Sequence, residues 1–185
     1  MKTILITGGA RSGKSRLAQE LALKSGRAVL FVATAAAEDE EMRQRIEEHR
    51  RLRPANWRTL EVATHVGNNI QKNIADAQLV IIDCVTLLIN NIFSKYTDSA
   101  GEITNAAALE QEVTAEIREL TACLDHTEAD FIIVTNEVGL GLVPVNPMGR
   151  LYRDLLGKAN QLLAARADEV YLLVAGLPVK IKPAR

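Results

Sequence analysis

Short, continuous apolar runs alternate along this chain with longer segments in which apolar residues recur every three or four positions. The runs occupy residues 2–7, 28–34, 79–83, 131–134 and 169–174. Runs of this length, apolar at successive positions, are typical of strands that are buried on both faces of a parallel sheet. Strand and helix in alternation therefore predict an α/β fold with a mostly parallel central sheet of about five or more strands, flanked by helices.

Apolar stripes with helical spacing define the connecting elements. In the longest of them, Leu109, Val113 and Ile117 fall on one face. Predicted helices span residues 14–24, 38–51, 66–77, 85–93, 106–124 and 148–167. Residues 94–105 are polar and predict a mobile loop, whereas residues 179–182 alternate like a short C-terminal edge strand or hairpin strand.

Length and composition limit the classes of protein to which the chain can belong. The 185 residues predict a single domain over 1–185, and a hydrophobic content of 48% suffices for one core. The net charge of −1 provides no basic surface, so we expect no nucleic-acid partner. The apolar runs are too short to span a membrane and no secretory leader is evident, which favours a cytoplasmic protein. Cys84 and Cys123 are expected to be reduced, buried thiols.

A phosphate-binding motif lies between the first predicted strand and the first predicted helix. It reads Gly8-Gly9-Ala10-Arg11-Ser12-Gly13-Lys14-Ser15, which matches G-x-x-x-x-G-K-[ST] in the required strand, loop and helix context. The glycines let backbone N–H groups surround a phosphate at a helix N-terminus. Lys14 would reach the β and γ phosphates, and the Ser15 hydroxyl would bind Mg²⁺. The motif predicts a P-loop nucleotide-binding fold. The alternative is a glycine-rich turn that carries Lys and Ser by chance.

Polar residues follow two further predicted strands. The strand at 79–83 ends in Asp83. In phosphate-loop enzymes a strand likewise ends in an acidic residue, whose carboxylate supports Mg²⁺. Many buried strands end in Asp, so the assignment depends on the phosphate loop upstream. Residues 135–144 combine polar side chains with glycines at another strand end, where parallel sheets bind their ligands. A simple connecting loop is the alternative there.

Two basic features remain ambiguous from residue chemistry alone. Pro54 ends a highly charged helix, and Trp57 then lies among arginines. This tryptophan is either a partly buried packing residue or a nucleotide contact. Arg150 and Arg153 lie three residues apart on one helix face, where they could clamp phosphate or form exposed salt bridges.

The chain has three histidines. His49 lies on the charged helix, where a histidine is usually a solvated surface residue, although a neutral imidazole is a competent nucleophile near pH 7. His65 and His126 lie outside any motif and are expected at the surface.

Together these motifs resemble the bifunctional adenosylcobinamide kinase and adenosylcobinamide-phosphate guanylyltransferase family of cobalamin synthesis. The resemblance extends from end to end and rests on the phosphate loop, Arg45-Ile46 with His49, Arg53-Pro54, Trp57-Arg58-Thr59, Thr135-Asn136-Glu137-Val138-Gly139, and residues 150–168. It implies that adenosylcobinamide is phosphorylated with ATP or GTP. GMP is then transferred from GTP to the adenosylcobinamide phosphate through a GMP-histidine intermediate, which gives adenosylcobinamide-GDP and pyrophosphate.

Site residues follow from the resemblance position by position. His49 would carry GMP and Lys14 would stabilise the transferred phosphoryl group, with Mg²⁺ held by Ser15 and Asp83. Nucleotide contacts would come from Gly8 to Ser15 and from Thr34, Ala35, Ala36, Arg50, Arg51, Leu52, Arg53, Glu61 and Asp83. Some relatives carry two adjacent histidines where this chain has Glu48 and His49, and some carry Glu in place of Asp83. The resemblance also implies a homotrimer with its corrinoid substrate between subunits.

Two other functions are compatible with a phosphate loop. A different small-molecule kinase would need Lys14, Ser15 and Asp83 but not His49. A regulatory GTPase would normally carry an N-K-x-D guanine-reading motif, which is absent from the sequence. The residue that orients the substrate hydroxyl stays open between Glu137 and Asp83.

Overall fold

The computed structural model describes residues 1–36, 40–51 and 53–183, without the side chains of residues 41, 42, 45, 48 and 49. Its strands are β1 (Thr3–Gly8), β2 (Val29–Ala33), β3 (Arg58–Glu61), β4 (Leu79–Asp83), β5 (Asp130–Val134), β6 (Glu169–Val174) and β7 (Leu177–Lys182). Its helices are α1 (Lys14–Ser25), α2 (Glu40–Arg51), α3 (Val66–Asn73), α4 (Val85–Lys95), α5 (Ala106–His126) and α6 (Pro147–Arg166). Within these ranges no helix has both the length and the apolarity needed to cross a membrane.

The strands form one sheet in the order β3-β2-β4-β5-β1-β6-β7. Every neighbouring pair is parallel except β6 and β7, which form the antiparallel C-terminal hairpin. The predicted mostly parallel α/β sheet with a C-terminal edge strand is therefore confirmed. Alternate strand residues enter two separate cores. One core is covered by helices α3 to α6, and the other by α1, whose Ala18 and Ala22 are buried.

Strand β3 was not predicted, because residues 53–59 look like a basic loop. Only Leu60 of its four residues is even partly buried, so the strand has no apolar pattern to reveal it. The strand forms because its backbone pairs with the edge of β2, from Leu30 with Arg58 to Ala33 with Glu61. Pairing of this kind depends on a neighbour that is remote in sequence.

The segment predicted as a mobile loop, residues 94–105, contains a compact hydrogen-bonded turn. The Asp98 carboxylate accepts hydrogen bonds from the N–H groups of Ala100 and Glu102, both at 2.9 Å. The Thr104 N–H donates to the Tyr96 carbonyl at 2.8 Å, which closes the turn. The turn connects α4 to α5 on the helical side of the larger core.

The N-terminus of α3 is capped by side chains from α5. The Glu116 carboxylate accepts from the N–H groups of His65 at 2.7 Å and Val66 at 2.8 Å, and Glu119 accepts from Asn68 at 2.9 Å. Gly67 makes this approach possible, because a Cβ there would lie 2.6 Å from the Glu119 carbonyl oxygen. These bonds satisfy N–H groups that a helix leaves without intrahelical partners. His65 is exposed, as expected, and so is His126.

Glu169 forms an ion cluster at the start of β6. Its carboxylate lies 2.8 Å from Lys2 Nζ and 3.3 Å from Lys180 Nζ, and it accepts a hydrogen bond from the Tyr171 hydroxyl. These partners, with Lys2 the largest contributor, lower the pKa of Glu169 to about 2. A carboxylate whose pKa is lower in the folded chain stabilises the fold above its unfolded pKa. That contribution is lost as the pH falls toward the folded value.

We therefore expect Glu169→Gln to lower the free energy of unfolding at pH 7 by about 1–3 kcal/mol, allowing for the partial exposure of the two lysines. Urea unfolding of both proteins at pH 7 and pH 3 measures this. The difference between them should shrink by more than half at pH 3. An equal difference at the two pH values would mean that packing, not charge, accounts for the effect.

Candidate active site

The phosphate loop leaves the C-terminal end of β1 with an unusual backbone conformation. Gly8 has φ 147° and Gly13 has φ 93°, values that side chains rarely tolerate. A Cβ on Gly8 would also lie 2.5 Å from the Leu173 carbonyl oxygen of β6. The first glycine is therefore required by both conformation and packing, and it sets the direction in which the loop leaves the sheet.

Gly8→Ala tests this requirement, with Gly9→Ala as its matched control. An alanine at this position would introduce strain of about 1–3 kcal/mol. Each kcal/mol of destabilisation lowers Tm by ~2–4 °C in a chain of this size, so we expect Gly8→Ala to lower Tm by roughly 3–10 °C. Gly9 has no positive φ, and its Cβ position has no atom within 4 Å. Gly9→Ala should therefore leave Tm nearly unchanged in a thermal unfolding scan. Equal Tm values for the two variants would contradict the argument.

The side chain of Lys14 folds back onto the phosphate loop, which precedes it in the chain. Its side chain is buried, and Nζ donates to the Gly9 carbonyl oxygen at 2.6 Å and to Ser12 Oγ at 3.5 Å. Burial lowers the pKa of Lys14, and the negative charge of Asp83 acts in the opposite direction. The ammonium group and the β4 carboxylate are thus electrostatic neighbours at the mouth of the loop. A bound phosphate could replace the Gly9 carbonyl as the partner of Lys14.

Two carboxylates lie in one row across the C-terminal edge of the sheet. Ala33 on β2 is paired with Glu61 on β3 and with Asp83 on β4. Residues paired in this way direct their side chains to the same face of a sheet. That face carries α1, so Glu61 and Asp83 share it with the phosphate loop.

A buried polar network fixes the ends of these strands. Thr34 Oγ1 donates to the Cys84 carbonyl oxygen at 2.7 Å and accepts from the Cys84 N–H at 2.8 Å. The Asn91 side chain on α4 donates to the carbonyl oxygens of Thr34 and Ala63. The predicted site residue Thr34 therefore has a structural role here. Cys84 is a buried thiol, as predicted, and burial raises its pKa to about 12.

Arg53 occupies the same face beside the carboxylates. Its guanidinium lies 3.9 Å from the centroid of the Phe31 ring, and Trp57 stacks near that ring with centroids 6.5 Å apart. Burial lowers the pKa of Arg53, whereas Asp83 and Glu61 favour its charged form. Its buried Nε has no hydrogen-bond partner within the described part of the chain. Buried N–H donors are normally paired, so this one is suited to an anionic ligand. Trp57 packs beside Phe31 at the smaller core, which is the first of the two roles considered from sequence.

The side chains of Arg50 and Arg51, the other predicted arginines of this segment, point in different directions. Arg50 reaches Glu61, with 3.4 Å between Nη2 and Oε1. Arg51 extends into solvent toward Glu47 at 4.0 Å, so its side chain is not brought to the site. Helix α2 carries His49 in the turn that contains Arg50. The His49 side chain and Leu52 lie outside the described residues.

The end of β5 is bonded directly to the phosphate loop. The N–H groups of Thr135 and Glu137 donate to the carbonyl oxygens of Ile6 and Gly8, each at 3.0 Å. The Glu137 carboxylate turns back and accepts from the Gly139 N–H. The backbone of Glu137 therefore lies beside Gly8, the first glycine of the phosphate loop.

Side chains from α4 and α6 hold this strand end in place. The Asn136 N–H donates to Thr86 Oγ1 at 2.7 Å, and the Asn160 side chain donates to the Asn136 carbonyl at 3.0 Å. Thr86 and Asn91 were not predicted as site residues. Both lie on α4, a largely apolar helix whose other polar residues are Asn90, Ser94 and Lys95, and polar residues on such a helix were the signal available in the sequence.

Arg150 and Arg153 do not form the phosphate clamp considered from sequence. The Arg150 guanidinium donates to the carbonyl oxygens of Pro144 and Val145, and Arg153 pairs with Asp154. Arg150 thereby fixes the end of the loop that precedes α6.

The described residues contain no group of three or more His, Cys, Asp or Glu side chains placed to hold a metal. A hydroxyl and one carboxylate, from Ser15 and Asp83, nevertheless suit Mg²⁺. This ion is commonly held by one or two protein oxygens together with phosphate oxygens and water. Ser15 lies in the first turn of α1, and α1 covers the face of the sheet that carries Asp83, so both donors lie on the phosphate-loop side of the sheet.

Comparisons with known proteins agree along almost the whole chain. Residues 4–181 match the family model described as cobinamide kinase / cobinamide phosphate guanyltransferase. The bifunctional adenosylcobalamin biosynthesis protein CobU of Escherichia coli K12 is 44% identical over 97% of this chain and 99% of its own length. CobP of Pseudomonas aeruginosa, with the same description, is 41% identical over 96% of each chain. A solved structure of the RadB recombinase is similar with a TM-score of 0.49 and 16% identity, over 92% of this chain and 73% of that one.

Proposed function

Because the chain belongs to the cobinamide kinase / cobinamide phosphate guanyltransferase family, we propose that the site at the C-terminal edge of its sheet performs both reactions at one phosphate loop. The observation that carries the proposal is the placement of Lys14, whose side chain is buried against the Gly9 carbonyl of the glycine loop, on the face of the sheet that also carries Asp83. This arrangement suits a nucleoside triphosphate, since backbone N–H groups and one ammonium can surround its phosphates.

In the kinase step, the hydroxyl of adenosylcobinamide attacks the γ-phosphorus of ATP or GTP. The bond to the β-γ bridging oxygen breaks, the nucleoside diphosphate leaves, and the hydroxyl proton passes to a base. We assign that base to Glu137. Asp83 already favours the charged forms of both Lys14 and Arg53 and is better suited to Mg²⁺. The Glu137 carboxylate interacts instead with a backbone N–H next to the loop, a bond that substrate can replace.

In the transferase step, a nitrogen of His49 attacks the α-phosphorus of GTP and pyrophosphate leaves. A phosphate oxygen of adenosylcobinamide phosphate then attacks the same phosphorus, the nitrogen–phosphorus bond breaks, and adenosylcobinamide-GDP is released. We propose that Arg53 and Arg50 bind phosphate oxygens during these steps. Two observations support this role: Arg53 Nε is buried without a hydrogen-bond partner among the described residues, and Arg50 lies beside Glu61.

Mg²⁺ bound through Ser15 and Asp83 would neutralise charge on the phosphates. The residues described above would bind and orient the nucleotide and accept the proton of the hydroxyl. Family resemblance also leads us to propose a cytoplasmic homotrimer.

Incubation of the purified protein with Mg²⁺, adenosylcobinamide and GTP tests the proposal. Chromatography and mass spectrometry should detect adenosylcobinamide phosphate first and adenosylcobinamide-GDP with pyrophosphate later. Added alone, GTP labelled at the α-phosphate should leave an acid-labile, alkali-stable GMP adduct on the protein. Phosphorylation of adenosylcobinamide without formation of adenosylcobinamide-GDP or of the adduct would reduce the function to that of a kinase.

A further inference from the structure

The loop between β5 and α6 exposes an unusual concentration of large apolar side chains. Leu140, Leu142, Val143 and Val145 are 82%, 97%, 64% and 96% exposed. Single exposed apolar residues are common, but a contiguous apolar patch on a protein surface usually marks a binding site. We call residues 139–146 the apolar loop.

The apolar loop is anchored at both ends. At its start, the N–H of Glu137 is bonded to Gly8 and the N–H of Gly139 to the Glu137 carboxylate. At its end, Arg150 donates to the Pro144 and Val145 carbonyls, and the Asn146 side chain caps α6 by accepting from Gly149. The exposed side chains are thus displayed on a fixed backbone and do not belong to a free chain end.

A groove of about 490 Å³ opens where the apolar loop enters α6. Its lining combines apolar and polar side chains from α4, the turn after it and α6, namely Asn90, Phe93, Ser94, Thr97, Met148, Gly149 and Tyr152. Phe93 and Tyr152 pack edge to face, with centroids 5.0 Å apart. The groove therefore combines an aromatic pair with polar groups, and its volume is typical of a small-molecule site.

Three hydrogen bonds connect this groove to the phosphate loop. Gly8 accepts from Glu137, the adjacent Asn136 N–H donates to Thr86 Oγ1, and the Thr86 carbonyl accepts from the Tyr152 hydroxyl at 3.0 Å. Phosphate loop, apolar loop and groove thus adjoin at one end of the molecule. A ligand on the apolar surface would lie next to the transferred phosphate.

We propose that the apolar loop and the groove form the docking surface for the corrin ring of the substrate. The proposal rests on the proposed function. A corrinoid has methyl-bearing ring faces and primary amides around its edge, so its chemistry matches apolar side chains beside a polar rim. Its hydroxyl-bearing arm must reach the γ-phosphate, which places the ring on a surface adjoining Gly8. An interface between copies of the chain usually involves about 20–30 residues on each side, so the contacts of the proposed homotrimer would extend beyond the four exposed side chains of the apolar loop.

The double variant Leu142→Ser/Val145→Ser tests the proposal, with Leu23→Ser as control. Leu23 is also exposed but lies near the end of α1, away from the loop. We expect the double variant to raise the KM and Kd for adenosylcobinamide at least about tenfold, because each substitution removes a large apolar contact. The kinase kcat at saturating corrinoid and GMP labelling by GTP alone should stay near wild type. Corrinoid binding is measured by equilibrium dialysis with visible absorbance.

The outcomes separate this proposal from the proposed function. Failure of the wild-type protein to bind adenosylcobinamide would reject the proposed function. Binding by wild type and by the double variant with equal Kd would reject only the docking surface. A smaller oligomer by light scattering with an unchanged corrinoid KM would assign the apolar loop to contacts between copies and overturn the proposal. If Leu23→Ser also lost corrinoid affinity, the effect of the double variant would not be specific to the apolar loop, and the docking surface would be rejected.

Discussion

His49→Ala is expected to lose guanylylation of adenosylcobinamide phosphate by at least about 10³-fold, because no other group would carry GMP. Phosphorylation of adenosylcobinamide should change little, since Lys14, Ser15, Asp83 and Glu137 remain in place. The two reactions are measured separately, with adenosylcobinamide and ATP for the kinase and with prepared adenosylcobinamide phosphate and GTP for the transferase. Intact-mass analysis after GTP treatment should show no GMP adduct on the variant.

His126→Ala provides the matched control. His126 is exposed at the end of α5, where its ring contacts the Ala122 carbonyl. This variant should form the adduct and transfer GMP as the wild type does. If His49→Ala kept its adduct while His126→Ala lost it, the nucleophile would be misassigned. If both variants kept it, the covalent intermediate would form on His65 or on a different type of residue.

Glu137→Gln should have the opposite effect. Loss of a positioned base is expected to lower the kinase kcat by about 10²–10⁴-fold, with a small change in KM for either substrate. The glutamine oxygen can still accept from Gly139, so the conformation of the loop should be preserved. Guanylylation of prepared adenosylcobinamide phosphate needs no proton removal from a hydroxyl and should stay near the wild-type rate.

Glu128→Gln is the control for that variant, because Glu128 is exposed and precedes the same strand at its opposite end. An equal fall in both reactions of Glu137→Gln would indicate that Glu137 holds the phosphate loop and does not accept the proton. Unchanged kinase kcat would leave Asp83 as the remaining candidate. The His49 and Glu137 variants together should therefore separate the two activities in opposite directions.

Elements with strong local patterns were predicted closely. The predicted bounds of β4 and β6 agree with Leu79–Asp83 and Glu169–Val174, because both strands are apolar at most positions and end at polar or glycine-containing turns. The phosphate loop was equally predictable, since its motif is contiguous. Helix α3 was predicted to extend to residue 77 but ends at Asn73. Ala75 then adopts φ 43°, outside helical geometry, which the weak apolar pattern could not reveal.

Interactions between distant residues account for what the sequence did not predict about the site. The contact of Arg53 with Phe31 depends on how the chain after α2 returns across β2. Thr34 and Asn91 are 57 positions apart and meet only because β2 and α4 adjoin in the fold. Arg51 belongs to the same basic segment as Arg53 yet points away, because successive residues at a helix end face different directions.

The caps on α3 also bear on the order in which the chain acquires structure. A helix of eight residues is too short to persist alone in water, and its N-terminal caps come from Glu116 and Glu119, about fifty positions later. Helix α3 consequently depends on α5 for its N-terminal caps, while its Val66 and Ile70 pack in the same core as residues of β4. During synthesis on the ribosome it can become stable only after α5 has emerged and docked.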